Sequence, residues 1–264
     1  MTTENRVTID LADNGVAQVR FNRPDKMNAL DPEQFDAIIE AGEKLREMKG
    51  LRVVVLAGEG RAFCAGLDIS SFTADGDRKP LAERTHGNAN KAQEAAMTWR
   101  KCPVPVIAAV HGVCFGGGLQ IASGADIRVV HPATRMAIME LKWGLVPDMG
   151  GYNLWRGLIR DDVLRELVYT NREFTGAEAK EYGLATHVTE DPLGKANDIA
   201  NEIANRNPEA IRGAKRLSEA MVEQSGDDIL MAESVEQDKV MRKPNQIEAV
   251  MAGMQKRAPN FTDV

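Results

Sequence analysis

Apolar and polar residues alternate with period two along Val7-Thr8-Ile9-Asp10-Leu11 and again along Val16-Ala17-Gln18-Val19-Arg20-Phe21. The two runs flank Asp13-Asn14-Gly15, so the pattern predicts an antiparallel hairpin. Asn22-Arg23-Pro24-Asp25 ends it. Asp31 caps a predicted helix over about 32–48, with Pro32 at its first position and Gln34 three residues after the cap, close to a capping box. Phe35, Ile38, Ile39, Leu45 and Met48 form its apolar stripe, and Gly50 stops it. Val53-Val54-Val55-Leu56-Ala57 and Val106-Ile107-Ala108-Ala109-Val110 are apolar without interruption, as in strands covered on both faces. Between them, residues 70–90 are polar and lack a period, a loop long enough to serve in binding, and a helix over about 88–101 follows.

Short strands are predicted at 127–130 and 136–139. A helix begins near Tyr152, and another opens at Arg160-Asp161-Asp162. Thr175 caps a helix over 176–182, and Leu184-Ala185-Thr186-His187-Val188 reads as a strand. Helices follow at 195–206 and 208–224, then a helical stretch over 228–254 broken at Lys243-Pro244. Strands alternating with helices, then helices alone, define an α/β class with a core over 1–194 and a C-terminal helical region over 195–264.

Composition narrows the function. Of 264 residues, 43% are hydrophobic, enough for a sizeable core, and 33 basic against 39 acidic residues leave a net charge of −6. That balance argues against a nucleic-acid or anionic-membrane surface. No run approaches 18 apolar residues, so no membrane span is expected. The polar start, Met1-Thr2-Thr3-Glu4-Asn5-Arg6, carries no secretory pattern, and Cys64, Cys102 and Cys114 are an odd set without CxxC spacing. A reducing, cytoplasmic setting is expected. The four histidines have no metal-ligand spacing, and no metal is expected.

Three features carry chemistry. Gly116-Gly117-Gly118 stands between a buried strand and a helix, where bare backbone N–H groups can cradle a phosphate or an oxyanion; a plain tight turn is the alternative. Neither GxGxxG nor GxxxxGK[ST] occurs, which disfavours a dinucleotide cofactor. Ala65-Gly66-Leu67-Asp68 is a second such turn, with an outward N–H at Leu67. Glu140 ends the apolar stretch Ala137-Ile138-Met139, Asp148 follows eight residues later between Pro147 and Met149, and both become candidate proton carriers if they enter an apolar pocket, although Glu140 could pair with Lys142 and Asp148 could cap the next helix.

These residues together resemble the crotonase superfamily, the enoyl-CoA hydratase/isomerase family, over essentially the whole chain. The matching stretches are Phe21-Asn22-Arg23-Pro24 with Met27-Asn28-Ala29-Leu30, Phe63 to Ile69, Ala108 to Gly112 with the three glycines, Ala125-Asp126-Ile127-Arg128, Gly144 to Gly151, and Asn260-Phe261. The resemblance implies a spiral of repeated ββα units, a C-terminal helical trimerisation region, and homotrimers or dimers of trimers. It implies an acyl-CoA thioester substrate, coenzyme A entering as part of it and no separate cofactor. The thioester oxygen would lie between the N–H groups of Leu67 and Gly117. Ala65, Asp68 and Gly116 would line the substrate site, with Arg23 and Lys26 toward the CoA phosphates and Phe261 toward CoA on a neighbouring subunit. Met139, Trp143 and Met149 belong either to the pocket wall or to the core.

The carboxylates sharpen the expectation. Hydratases of this family place a glutamate just after the Gly-rich turn and another twenty residues later; here the positions hold Gln120 and Glu140. An amide can orient water but cannot take its proton near neutral pH. The spacing from Glu140 to Asp148 resembles that of the dienoyl-CoA isomerases, which carry a further aspartate at the Gln120 position. The expected activity is therefore enoyl-CoA isomerisation with Glu140 as base and Asp148 assisting. Enoyl-CoA hydration is the alternative, followed by other thioester reactions and a catalytically weak acyl-CoA binder.

Overall fold

The computed structural model describes residues 6–68, 70 and 80–264. The alternating N-terminal runs form the hairpin β1 (Val7–Leu11) and β2 (Val16–Phe21), in the register Val7 opposite Phe21 to Leu11 opposite Ala17. Gly15 makes the reversal possible with φ of +82°. From β2 the sheet continues in parallel through β3 (Val53–Gly58), β4 (Val106–Val110), β6 (Ile127–Val130) and β9 (His187–Val188).

The continuous apolar runs are explained by what covers the sheet. Val54 and Leu56 join the main core with α1 (Pro32–Glu47) and α2 (Lys91–Arg100). Val53, Val55, Ile107, Ala109 and Val129 point to the other face and meet Ala196, Ala200 and Ala204 of α7 (Pro192–Ala204). The boundary placed after residue 194 thus falls inside α7, a helix that belongs to the sheet's outer cover. Asp191 caps it and Pro192 opens it, which starts it earlier than the periodicity alone indicated.

A second sheet pairs β5 (Val113–Phe115), β7 (Arg135–Ala137) and β8 (Phe174–Thr175). Single bridges at Cys64–Cys114 and Leu30–Leu67 extend this ladder sideways. β5 hides in the sequence because it is three residues long and abuts the glycines, which open the fully buried α3 (Gly117–Ser123). Between the second sheet's strands lie α4 (Gly151–Trp155) and α5 (Asp161–Thr170), and α6 (Gly176–Glu181) follows with the Thr175–Glu178 capping box. The strand read over 184–188 shrinks to β9 because Leu184 and Ala185 donate their N–H groups to Ala179 at the end of α6.

Beyond α7 come α8 (Pro208–Ala220), α9 (Gly226–Val240) and α10 (Pro244–Gln255), the last two separated at Lys243-Pro244 as expected. α9 buries no side chain and α10 only Asn245 and Ala252. No helix among the described residues is long and apolar enough to cross a membrane.

Candidate active site

The two glycine turns meet. Cys64 N–H donates to Val113 O and Phe115 N–H to Cys64 O, both at 3.1 Å, so the segment after β3 lies beside β5. A methyl group placed on Gly66 would stand 2.7 Å from Phe115 O and 3.7 Å from Gly117 N. Only glycine fits there, and its φ of +87° requires glycine as well. Leu30 N–H donates to Gly66 O at 2.8 Å, and Leu30 O accepts from Asp68 N–H at 2.9 Å. In such a bridge the residue between, Leu67, turns its own N–H to the other side. Gly117, as the first residue of α3, has no earlier helical carbonyl for its N–H. Two backbone donors therefore stand at neighbouring turns.

A cleft of about 780 Å³ opens over them. Its lining includes Lys26, Ala65, Leu67, Asp68, Gly116, Gly117, Gln120, Met139, Glu140, Trp143, Asp148 and Met149, so these expected positions converge from five separate stretches of chain. Arg23 and Phe261 do not line it. Arg23 is turned inward, donating to Ala29 O at 2.9 Å and to Asp68 Oδ2 at 2.8 Å and pairing with Asp31 at 3.2 Å. It braces the turn that carries Leu30. Phe261 lies where its carbonyl accepts from Arg52, beside the entry to β3.

Glu140 begins a short 3-10 turn, Glu140–Trp143, directly after β7 and Met139. It does not pair with Lys142. Its Oε1 accepts from Gln120 Nε2 at 2.5 Å, while its Oε2 is buried without a partner among the described residues. Burial pushes its pKa above the usual glutamate value, opposed by hydrogen bonds from backbone and from Gln120. Gln120 cannot turn around. Its Oε1 accepts from both Met149 N–H and Gly151 N–H at 2.9 Å, which leaves its Nε2 for Glu140.

Asp148 does not cap α4. Its Oδ1 accepts from Gln93 Nε2 at 2.6 Å and its Oδ2 from Asn90 Nδ2 at 3.0 Å. Hydrogen bonds from Ser70 and Arg23 hold Asp68 below the usual carboxylate range, and it serves as a brace. Burial pushes the Cys64 thiol up to about 12 and raises Cys114 as well, which removes both as nucleophiles. Sequence reasoning gave no role to Asn28 within its matching stretch; it is fully buried at φ +55°, and its side chain donates to Glu59 O and Ala62 O and accepts from Arg23 N–H. The same reasoning missed Asn90 and Gln93. The Asn-x-x-Gln spacing before an apolar helix announces a cap, but nothing local announces the distant aspartate.

The family model described as "Enoyl-CoA hydratase/isomerase" matches residues 12–264. Among curated proteins, a peroxisomal Delta(3,5)-Delta(2,4)-dienoyl-CoA isomerase of Arabidopsis thaliana is 30% identical, with 99% of each chain covered. The enoyl-CoA hydratase EchA19 of Mycobacterium tuberculosis is 34% identical over 92% of this chain and 91% of its own. Among solved structures, an enoyl-CoA hydratase from Bacillus anthracis superposes with a TM-score of 0.89 at 27% identity, covering 97% of this chain and 98% of that one.

Proposed function

The chain belongs to the enoyl-CoA hydratase/isomerase family, the crotonase superfamily, and from that premise we propose that it binds an acyl-CoA thioester and moves a proton at the carbon next to the carbonyl. Loss of that proton sends electrons onto the thioester oxygen. Donors fixed in advance at Leu67 and Gly117 stabilise this charge more than they stabilise the ground state. Lys26 at the cleft wall is the cation we assign to the CoA phosphates, and Leu67, Met139 and Trp143 supply apolar wall for the acyl chain.

Within that chemistry we favour enoyl-CoA isomerisation. The observation that supports it is the complete commitment of Gln120: its oxygen accepts two backbone N–H groups and its nitrogen serves Glu140. The position after the glycine turn, where a second glutamate would share a water molecule with Glu140, is held by this amide. Glu140, with one oxygen free of protein partners and a raised pKa, is suited to take a proton from C2 of a 3-enoyl thioester. The C2–H bond breaks, a dienolate forms, and a proton returned to C4 leaves the double bond between C2 and C3. Glu140 returns that proton with the help of Asp148. Hydration of a 2-enoyl thioester is the second reading, favoured by the printed names of EchA19 and the Bacillus anthracis structure.

Parallel incubations with a medium-length 3-enoyl-CoA and with its 2-enoyl isomer separate the two. Conversion of the 3-enoyl to the 2-enoyl thioester is expected, and an inert 3-enoyl-CoA beside a 2-enoyl-CoA hydrated to the 3-hydroxyacyl product would overturn the isomerase reading. Glu140→Gln is expected to lower turnover by about 10²–10⁴, the usual range for one general base.

A further inference from the structure

We propose that Asn90 and Gln93, the capping pair of α2, are positioning residues that aim Asp148 into the cleft. Each amide faces two ways. Asn90 Oδ1 accepts from Gln93 N–H at 2.8 Å, and Gln93 Oε1 accepts from Asn90 N–H at 3.0 Å, which closes the reciprocal box at the helix start. The amide nitrogens are what the box leaves over, and they converge on the two oxygens of one carboxylate. Turning either amide around would break the cap and set an oxygen against Asp148. The box therefore fixes both side chains as donors.

The choice of residue carries the argument. Serine or aspartate would cap at position 90, and glutamate at position 93 would close the box, with no loss to the helix. Aspartate and glutamate would donate nothing to Asp148, and serine's hydroxyl ends one atom short of where the Asn90 amide nitrogen stands. Amides at both positions serve the helix and the carboxylate together. Asn90 is buried, and its Nδ2 also donates to Leu81 O at 3.1 Å; Arg84 donates to Gln93 Oε1 at 3.0 Å. Leu81 itself lines the cleft, so the same pair ties the cleft wall to the carboxylate.

The inference rests on the proton-transfer reading for its kinetic arm alone. Asn90→Ser keeps the cap, and its melting temperature should match the parent; Gln93→Glu keeps the cap but sets a second carboxylate against Asp148, so its melting temperature should fall and recover in the Asp148→Asn background. Asn90→Ser is expected to lower kcat about tenfold, the effect of one lost hydrogen bond to a charged group, and Gln93→Glu by more, with KM little changed. In an Asp148→Asn background they should cost nothing further; losses that simply multiply would overturn the proposal. A second readout needs no turnover. The carboxyl ¹³C resonance of Asp148, assigned by its disappearance in Asp148→Asn, should move in both variants. An unmoved resonance would overturn the proposal, whereas a parent with no turnover but a moved resonance would count against the proton-transfer reading only.

Discussion

Glu140 is held in a state that favours its chemistry over the stability of the chain. Its pKa is raised by burial, so its contribution to folding is present at low pH and is lost as pH rises through the folded-state value. Glu140→Gln should therefore melt higher than the parent at neutral pH, with the gap closing below the usual carboxylate range; calorimetry across pH checks the sign. For the same reason the activity, which needs the ionised base, should rise with pH along a limb displaced above that of an ordinary glutamate. A rate flat from pH 4 to 8 (roughly the span on either side of a carboxylate limb) would contradict it. That Leu67, Gly117 and Glu140 would share one cleft was legible in the sequence because each belongs to a short motif at a strand end. The partners that hold the carboxylates were not: Gln93 and Asn90 lie 55 and 58 residues from Asp148, and only the fold brings them together.

Caps and breakers located most elements within a few residues, since Asp31, Thr175, Pro208 and Pro244 act on neighbours in the chain. Elements set by distant contacts were harder to read, as β5 and β9 show. The seam between the glycine turns is the most exacting of these. Gly66→Ala would force a methyl against Phe115 O in a backbone conformation that alanine avoids. We expect a loss of about 1–3 kcal/mol in urea unfolding, together with a drop in kcat as the Leu67 and Gly117 donors separate. Unchanged unfolding would mean that the turns are not packed as described.

At the scale of the molecule, α9 and α10 present Leu230, Met231, Ile247 and Met254 to solvent, more apolar surface than a pair of helices on a lone chain usually shows. Self-association through this region is expected, in trimers or their multiples. Sedimentation equilibrium at micromolar concentration checks it, and a monomer there would refute it. α7 has a separate duty, covering the outer sheet face, and a chain ended before Pro192 should be recovered in the insoluble fraction. This division also has a consequence during synthesis. Every residue that lines the cleft has been added once Glu173 is in place, yet Val53, Val55, Ile107, Ala109 and Val129 stay bare until Ala204 emerges. For the seconds that a ribosome needs to add the intervening segment, at about 5–20 residues per second, the nascent chain holds every lining residue of the cleft but lacks the cover for the opposite, greasy face. That interval is when a chaperone has most to do.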